Sequence, residues 1–76
     1  MSITDVSRRL VLADAVQTEG GVWTAKRVAR TYRAAGLDVP LRKTWRDDLK
    51  RLSREGVLTL HDAPGRRFYT RKDDAR

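Results

Sequence analysis

Basic residues recur at Arg42, Lys43, Arg46, Lys50 and Arg54, again at Lys26, Arg27, Arg30 and Arg33, and once more as the pair Arg66-Arg67. Guanidinium and ammonium groups at helical spacing do no covalent chemistry by themselves. They neutralise oxyanions, and a row of them along one helix face matches a row of phosphates. Little else in the chain has the makings of a reactive site. Cysteine is absent, which removes disulfides and thiolate metal sites. His61 is the single histidine, a poor basis for a metal site and read as an ordinary loop residue. Asp47-Asp48 and Asp73-Asp74 are adjacent in sequence, so in a helix their carboxylates diverge and form no catalytic dyad. No nucleophile–base set and no phosphate-cradling glycine loop is present. The expectation is a chain that is not an enzyme, needs no cofactor or metal and takes no small-molecule ligand.

The 76 residues carry 17 Lys and Arg against 10 Asp and Glu, a net charge of +7. A body this small and this basic attracts polyanions. The excess is unevenly placed. Residues 1–24 hold two arginines against three acids (Asp5, Asp14, Glu19), whereas residues 25–76 hold fifteen Lys and Arg against seven acids. Apolar residues make up 39% of the chain, including two tryptophans, which suffices for one modest core and excludes a disordered polyelectrolyte. No apolar run approaches the roughly 18 residues of a membrane span and no export signal opens the chain, so a cytoplasmic, nucleoid-associated protein away from membranes is expected.

The basic rows need elements to carry them. Val6, Leu10, Ala13 and Val16 have helical spacing, which predicts a first helix from Asp5 to about Thr18 with Thr4 as N-cap and Gly20-Gly21 as terminator. Val22-Trp23 reads as a brief strand or extended entry. Thr24 then caps a second helix over Ala25–Ala35, closed by Gly36 at C′. Leu37 to Val39 connect to a third helix with Pro40 in its first turn, running to about Glu55 and closed by Gly56. Val57–Leu60 and Arg67–Thr70 read as the strands of a hairpin with a long tip from His61 to Arg66, turning at Pro64-Gly65. The folded domain is expected over residues 1–70, with 71–76 as a tail.

At about 100° per residue from Leu41, the residues Leu41, Trp45, Asp48, Leu49 and Leu52 of the third helix occupy an arc from roughly 340° to 80°. Arg42, Arg46, Lys50, Lys43 and Arg54 occupy roughly 100° to 220°. One side is apolar and the other cationic, and only Asp47 borders the cationic side. A helix of this kind can lie in the major groove while its apolar side holds it to the body. The second helix repeats the theme with Lys26, Arg30 and Arg33 beside Arg27. Some of these arginines could pair internally instead, for example Arg33 with Asp48, which needs a cation if buried. Asp47 has two candidate roles: accepting from a cytosine amino group, or pairing with Lys43 four residues earlier. Trp23 and Trp45 are read as core residues, with nucleobase stacking as the other possibility.

The run from Thr44 through Leu58 (TWRDDLKRLSREGVL), followed by Gly65-Arg66-Arg67-Phe68-Tyr69, resembles the recognition helix and wing of winged helix-turn-helix regulators from bacteria and phages, and the likeness covers about residues 5–70. The resemblance implies an α+β fold, mainly α, with three helices and a C-terminal β-hairpin wing. It also implies sequence-specific binding of double-stranded DNA by a small transcriptional regulator. By this likeness Arg42, Lys43, Thr44, Arg46 and Lys50 face base edges and phosphates, and Arg66 and Arg67 reach a phosphate or the minor groove, while the row with Lys26, Arg27 and Arg30 on the second helix suits, by its charge and spacing alone, a helix that crosses the phosphate backbone. Other readings within reach are an architectural, excisionase-like or plasmid-control DNA-binding protein, and a winged-helix module for protein–protein contact. Val11, Leu12 and Ala15 lie off the apolar stripe chosen for the first helix, which suggests a homodimer formed through that helix.

Overall fold

A computed structural model of the chain describes residues 3–72, with side chains from Asp5 onward. Three helices and a three-stranded antiparallel sheet follow one another as α1 (Ile3–Glu19), β1 (Val22–Trp23), α2 (Ala25–Ala34), α3 (Arg42–Arg54), β2 (Leu58–Ala63) and β3 (Arg66–Arg71). The fold is α+β. β3 lies in the middle of the sheet, between β1 and β2. None of the described helices is long and apolar enough to cross a membrane.

The core is built where the helices meet the sheet, from Leu12 and Val16 of α1, Trp23 of β1, Val28 and Tyr32 of α2, Leu49 and Leu52 of α3, Leu58 of β2 and Tyr69 of β3. The face that α1 turns inward differs from the expected one. Leu12, Ala15 and Val16 are buried, whereas Val6 and Leu10 are 43% and 66% exposed. The inward line runs Arg8, Leu12, Ala15 and Val16, and it includes an arginine that reaches a buried carboxylate on α3. Periodicity of apolar residues alone misses such a line. Leu12 and Ala15 are therefore core residues, not the free surface expected for a homodimer, and of the three only Val11, half-buried against the core, keeps some exposure. The helix starts at Ile3, so Thr4 lies inside it and is not its N-cap.

α2 is delimited as its sequence suggests. The Thr24 Oγ1 accepts from the Arg27 amide at 3.3 Å. At the other end Leu37 N donates to Tyr32 O at 2.9 Å and Gly36 N to Arg33 O at 3.0 Å, the two bonds of a Schellman motif around a C′ glycine. α3 ends in the same way, with Val57 N on Leu52 O and Gly56 N on Ser53 O. Its start is displaced from expectation. Leu41 is the N-cap, and Pro40 precedes the helix instead of sitting in its first turn. The connector is held extended by the Trp45 indole, whose Nε1 donates to Val39 O at 2.7 Å.

The hairpin is longer and its tip tighter than the sequence suggested. β2 and β3 stay in register from Leu58↔Arg71 to Ala63↔Arg66, leaving Pro64-Gly65 as a two-residue turn. Residues 61–63 and Arg66, expected in the tip, are strand because each has a cross-strand partner. The His61 and Phe68 rings stack at 4.8 Å, His61 Nε2 lies 2.8 Å from Thr70 Oγ1, and Arg67 pairs with Asp62 at 3.2 Å. Proline's fixed negative φ followed by Gly65 at φ 74° has the signs a type II turn requires. Arg71, expected in the tail, closes the ladder opposite Leu58 and donates to Gln17 O at 2.6 Å, while Lys72 N bonds Val57 O. The folded body thus extends through Lys72. The remainder of the tail, with Asp73-Asp74, lies outside the described residues.

Candidate nucleic-acid interface

The two sides of α3 have opposite environments. Leu49 and Leu52 are buried, a gain of roughly 2 kcal/mol for each side chain removed from water. Asp48 is buried beside them, and Trp45 is half-buried against the core. Arg42, Lys43, Arg46, Lys50 and Arg54 are all exposed. Among the described residues none of these five cations makes an ion pair. Their charge is therefore directed at solvent.

Asp48 accounts for one of the two acids in this helix. Only 2% exposed, it accepts from Arg8 Nε of α1 at 2.7 Å, from the Tyr32 hydroxyl of α2 at 2.6 Å and from Arg51 NH1 at 3.3 Å. Three helices thus converge on one carboxylate. Burial pushes the Tyr32 hydroxyl well above its ordinary pKa, and its bond to Asp48 raises it further. Arg8 is raised chiefly by its bond to Asp48, against the opposing effect of burial. The cation that Asp48 requires is supplied by Arg8 and Arg51, and Arg33, the arginine suggested for it, is exposed and unpaired among the described residues. Asp48 consequently presents no charge to the cationic side.

On α2, Lys26, Arg30 and Arg33 are exposed and line a shallow groove together with Thr24, Ala29 and Trp45 of α3. Arg27, also expected to bind, is placed elsewhere. One residue past Lys26 it lies about 100° further round the helix, where its guanidinium donates to Val22 O at 2.8 Å, pairs with Glu19 at 3.3 Å and covers the Trp23 ring at 3.9 Å. It closes the α1–α2 side of the core and is not part of the cationic surface. Trp23 beneath it is fully buried, as expected for a core residue.

The hairpin completes the surface. A cleft of about 130 Å³ between the start of α2, α3 and β3 is lined by Thr24, Ala25, Leu49 and Tyr69 with Arg46, Lys50 and Arg67. It continues into a groove bounded by Lys50, Ser53, Arg54, Leu60 and Arg67. Cations from α3 and from the hairpin therefore face one channel. The Arg67–Asp62 pair is exposed on both sides, and pairs of this kind contribute well under about 1 kcal/mol, so Arg67 can exchange Asp62 for another anion. Arg66 is exposed at the turn with its guanidinium 4.8 Å from the Phe68 ring. Thr44 is half-buried in the first turn of α3 and stands off the cationic strip.

The structure thus sets Lys26 and Arg30 in one groove and Arg46, Lys50 and Arg67 in another that adjoins it at Thr24, exposes Arg42 and Lys43 in the first turn of α3 and Arg66 at the hairpin turn, and leaves Arg27 and Thr44 aside. Arg33 and Arg54, which the sequence places on the cationic faces without a contact role, line the same grooves. The available signal was spacing, since Arg33 continues Lys26 and Arg30, and Arg54 continues Arg46 and Lys50 at i+4. Among the described residues no cluster of three or more potential metal ligands occurs. Comparisons with protein-family models, curated proteins and solved structures each find no match.

Proposed function

We propose that this protein binds double-stranded DNA in a sequence-specific manner, as a small transcriptional regulator of the winged helix-turn-helix kind, with α3 in the major groove and the β2–β3 hairpin on the backbone or in the minor groove. The observation that carries the reading is the segregation of charge. Exposed cations of α2 and α3 make no ion pair among the described residues and line two adjoining grooves, with Arg67 of the hairpin held only by an exposed pair to Asp62, while the described acids nearest them on α3 and the hairpin, apart from Asp47, are each held by a partner. Leaving so many like charges together disfavours the compact state, and a polyanion removes that cost. Each phosphate neutralised also releases counterions.

Geometry supports a duplex as the polyanion. A 13-residue helix is about 20 Å long, and a helix fits the roughly 12 Å width of the major groove. The groove between Trp45 and the α2 cations adjoins, at Thr24, the cleft that α3 shares with β3, so backbone contacts from α2 and from the hairpin would lie beside the base-reading helix. Such a protein acts where the chromosome is. Selection from a random duplex pool tests the reading. An enriched motif is expected, and a palindromic one would indicate a dimer reading two half-sites about one helical turn apart. Enrichment of no motif would overturn sequence-specific binding.

A further inference from the structure

Asp47 has no evident reason to be where it is. It sits in the N-terminal half of α3, one turn after Lys43 and one turn before Lys50 and Arg51. It is exposed, and among the described residues it makes no ion pair, with Lys43 or with any other cation. Of the two roles open to it from sequence, the internal pair with Lys43 is not formed. Arg51, four residues on, is engaged by the buried Asp48 and by Glu55 at the end of the helix.

A free carboxylate among phosphate-seeking cations weakens binding to every duplex by like-charge repulsion, unless it meets a donor. The floor of the major groove offers two donors, the cytosine N4 amino and the adenine N6 amino groups. Adenine presents N7, an acceptor, beside its amino group, which suits an amide but repels a carboxylate that can only accept. Cytosine presents its amino group with no acceptor next to it on the same base.

We infer that Asp47 is a specificity-determining residue that reads a cytosine amino group in the major groove, an inference that rests on the duplex-binding reading above. It selects in two ways, by accepting one hydrogen bond at the correct base pair and by penalising α3 wherever only phosphates or base acceptors are offered. The cations beside it, Lys43, Arg46 and Lys50, are matched to guanine O6 and N7. The segment read by α3 is therefore rich in G·C pairs.

The test is selection of bound duplexes from a random pool by the full chain, at one fixed salt concentration, for the wild type, Asp47→Ala and Asp47→Asn. The wild type is expected to favour cytosine at one position by about tenfold or more. Asp47→Ala loses the preference at that position alone, and it binds random-sequence duplex more tightly than the wild type. Asp47→Asn, isosteric with the original, moves the preference to adenine, whose N6 and N7 an amide pairs together. A cytosine preference that survives Asp47→Ala overturns the inference while leaving duplex binding intact. A wild type that enriches no motif overturns the functional reading and this inference with it.

Discussion

Asp47 and Asp48 are adjacent and chemically identical, yet one faces solvent without a partner and the other is among the most tightly bonded side chains in the molecule. The contrast divides α3 lengthwise. Its inner side joins Leu49 and Leu52 to a carboxylate held from α1, α2 and α3, and its outer side carries cations with nothing to neutralise them. About 100° of helix rotation separates a residue that specifies the fold from one available for recognition. Charge in this protein is thus sorted by direction, and the number of acids in a helix is a poor guide to what that helix can bind.

The comparison breaks first on the inner side. Asp48→Ala leaves Arg8 and Arg51 facing a carboxylate that is gone, and removing one member of a buried ion pair costs about 3 kcal/mol. Denaturant unfolding should show a loss near that size, and a loss under about 1 kcal/mol would mean that the cluster adds little to the fold. On the outer side, Arg46→Ala and Lys50→Ala should each weaken duplex binding by about 1–3 kcal/mol, with unfolding midpoints unchanged because neither side chain has an internal partner. A drop in stability matching the drop in affinity would erase the distinction between the two sides.

Tyr32→Phe has a smaller effect, about 1.5 kcal/mol for a hydrogen bond to a charged group, and it carries a pH signature. The folded state holds the Tyr32 hydroxyl protonated, so its folded pKa lies above the unfolded value of about 10. Its contribution is fully present below about pH 10 and is lost as pH rises through the folded value, because only the unfolded chain first gains by ionising. Unfolding measured from pH 8 to pH 11 should show stability falling at the alkaline end in the wild type and falling less in Tyr32→Phe. Equal alkaline slopes would contradict the assignment. The smallest effect belongs to the hairpin, where Asp62→Asn removes an exposed pair worth under about 0.5 kcal/mol. Stability should barely change while duplex affinity rises, since Arg67 is released and a repelling charge is removed. Unchanged or weaker binding would place Arg67 outside the interface.

Much of this arrangement is legible in the sequence, and the exceptions share a cause. Thr24, Gly36 and Gly56 mark helix ends through local hydrogen bonds, and the α3 strip follows from residue spacing alone. Arg8 is invisible as an inward residue because its partner lies 40 positions away, so apolar spacing points to Val6, Leu10, Ala13 and Val16, and of these Val16 is buried while Val6 and Leu10 are exposed. His61 and Asp62 resemble loop residues until their cross-strand partners Phe68 and Arg67 are known. Arg27 has the same spacing signal as its neighbours, and only the position of Glu19 and Trp23 removes it from the surface. Contacts within one turn can be read directly, whereas contacts between elements decide which side of a correctly placed helix faces outward.

The central claim is that the unpaired cations on the outer side of α3 meet phosphates and bases of a duplex. Its most direct test is the salt dependence of duplex affinity for the wild type and for the double substitution of Arg46→Ala with Lys50→Ala. Log affinity should fall linearly with log salt in the wild type, and the slope should flatten by about one for each substituted side chain that meets a phosphate, up to about two. A double variant that binds with the affinity and slope of the wild type would contradict the account.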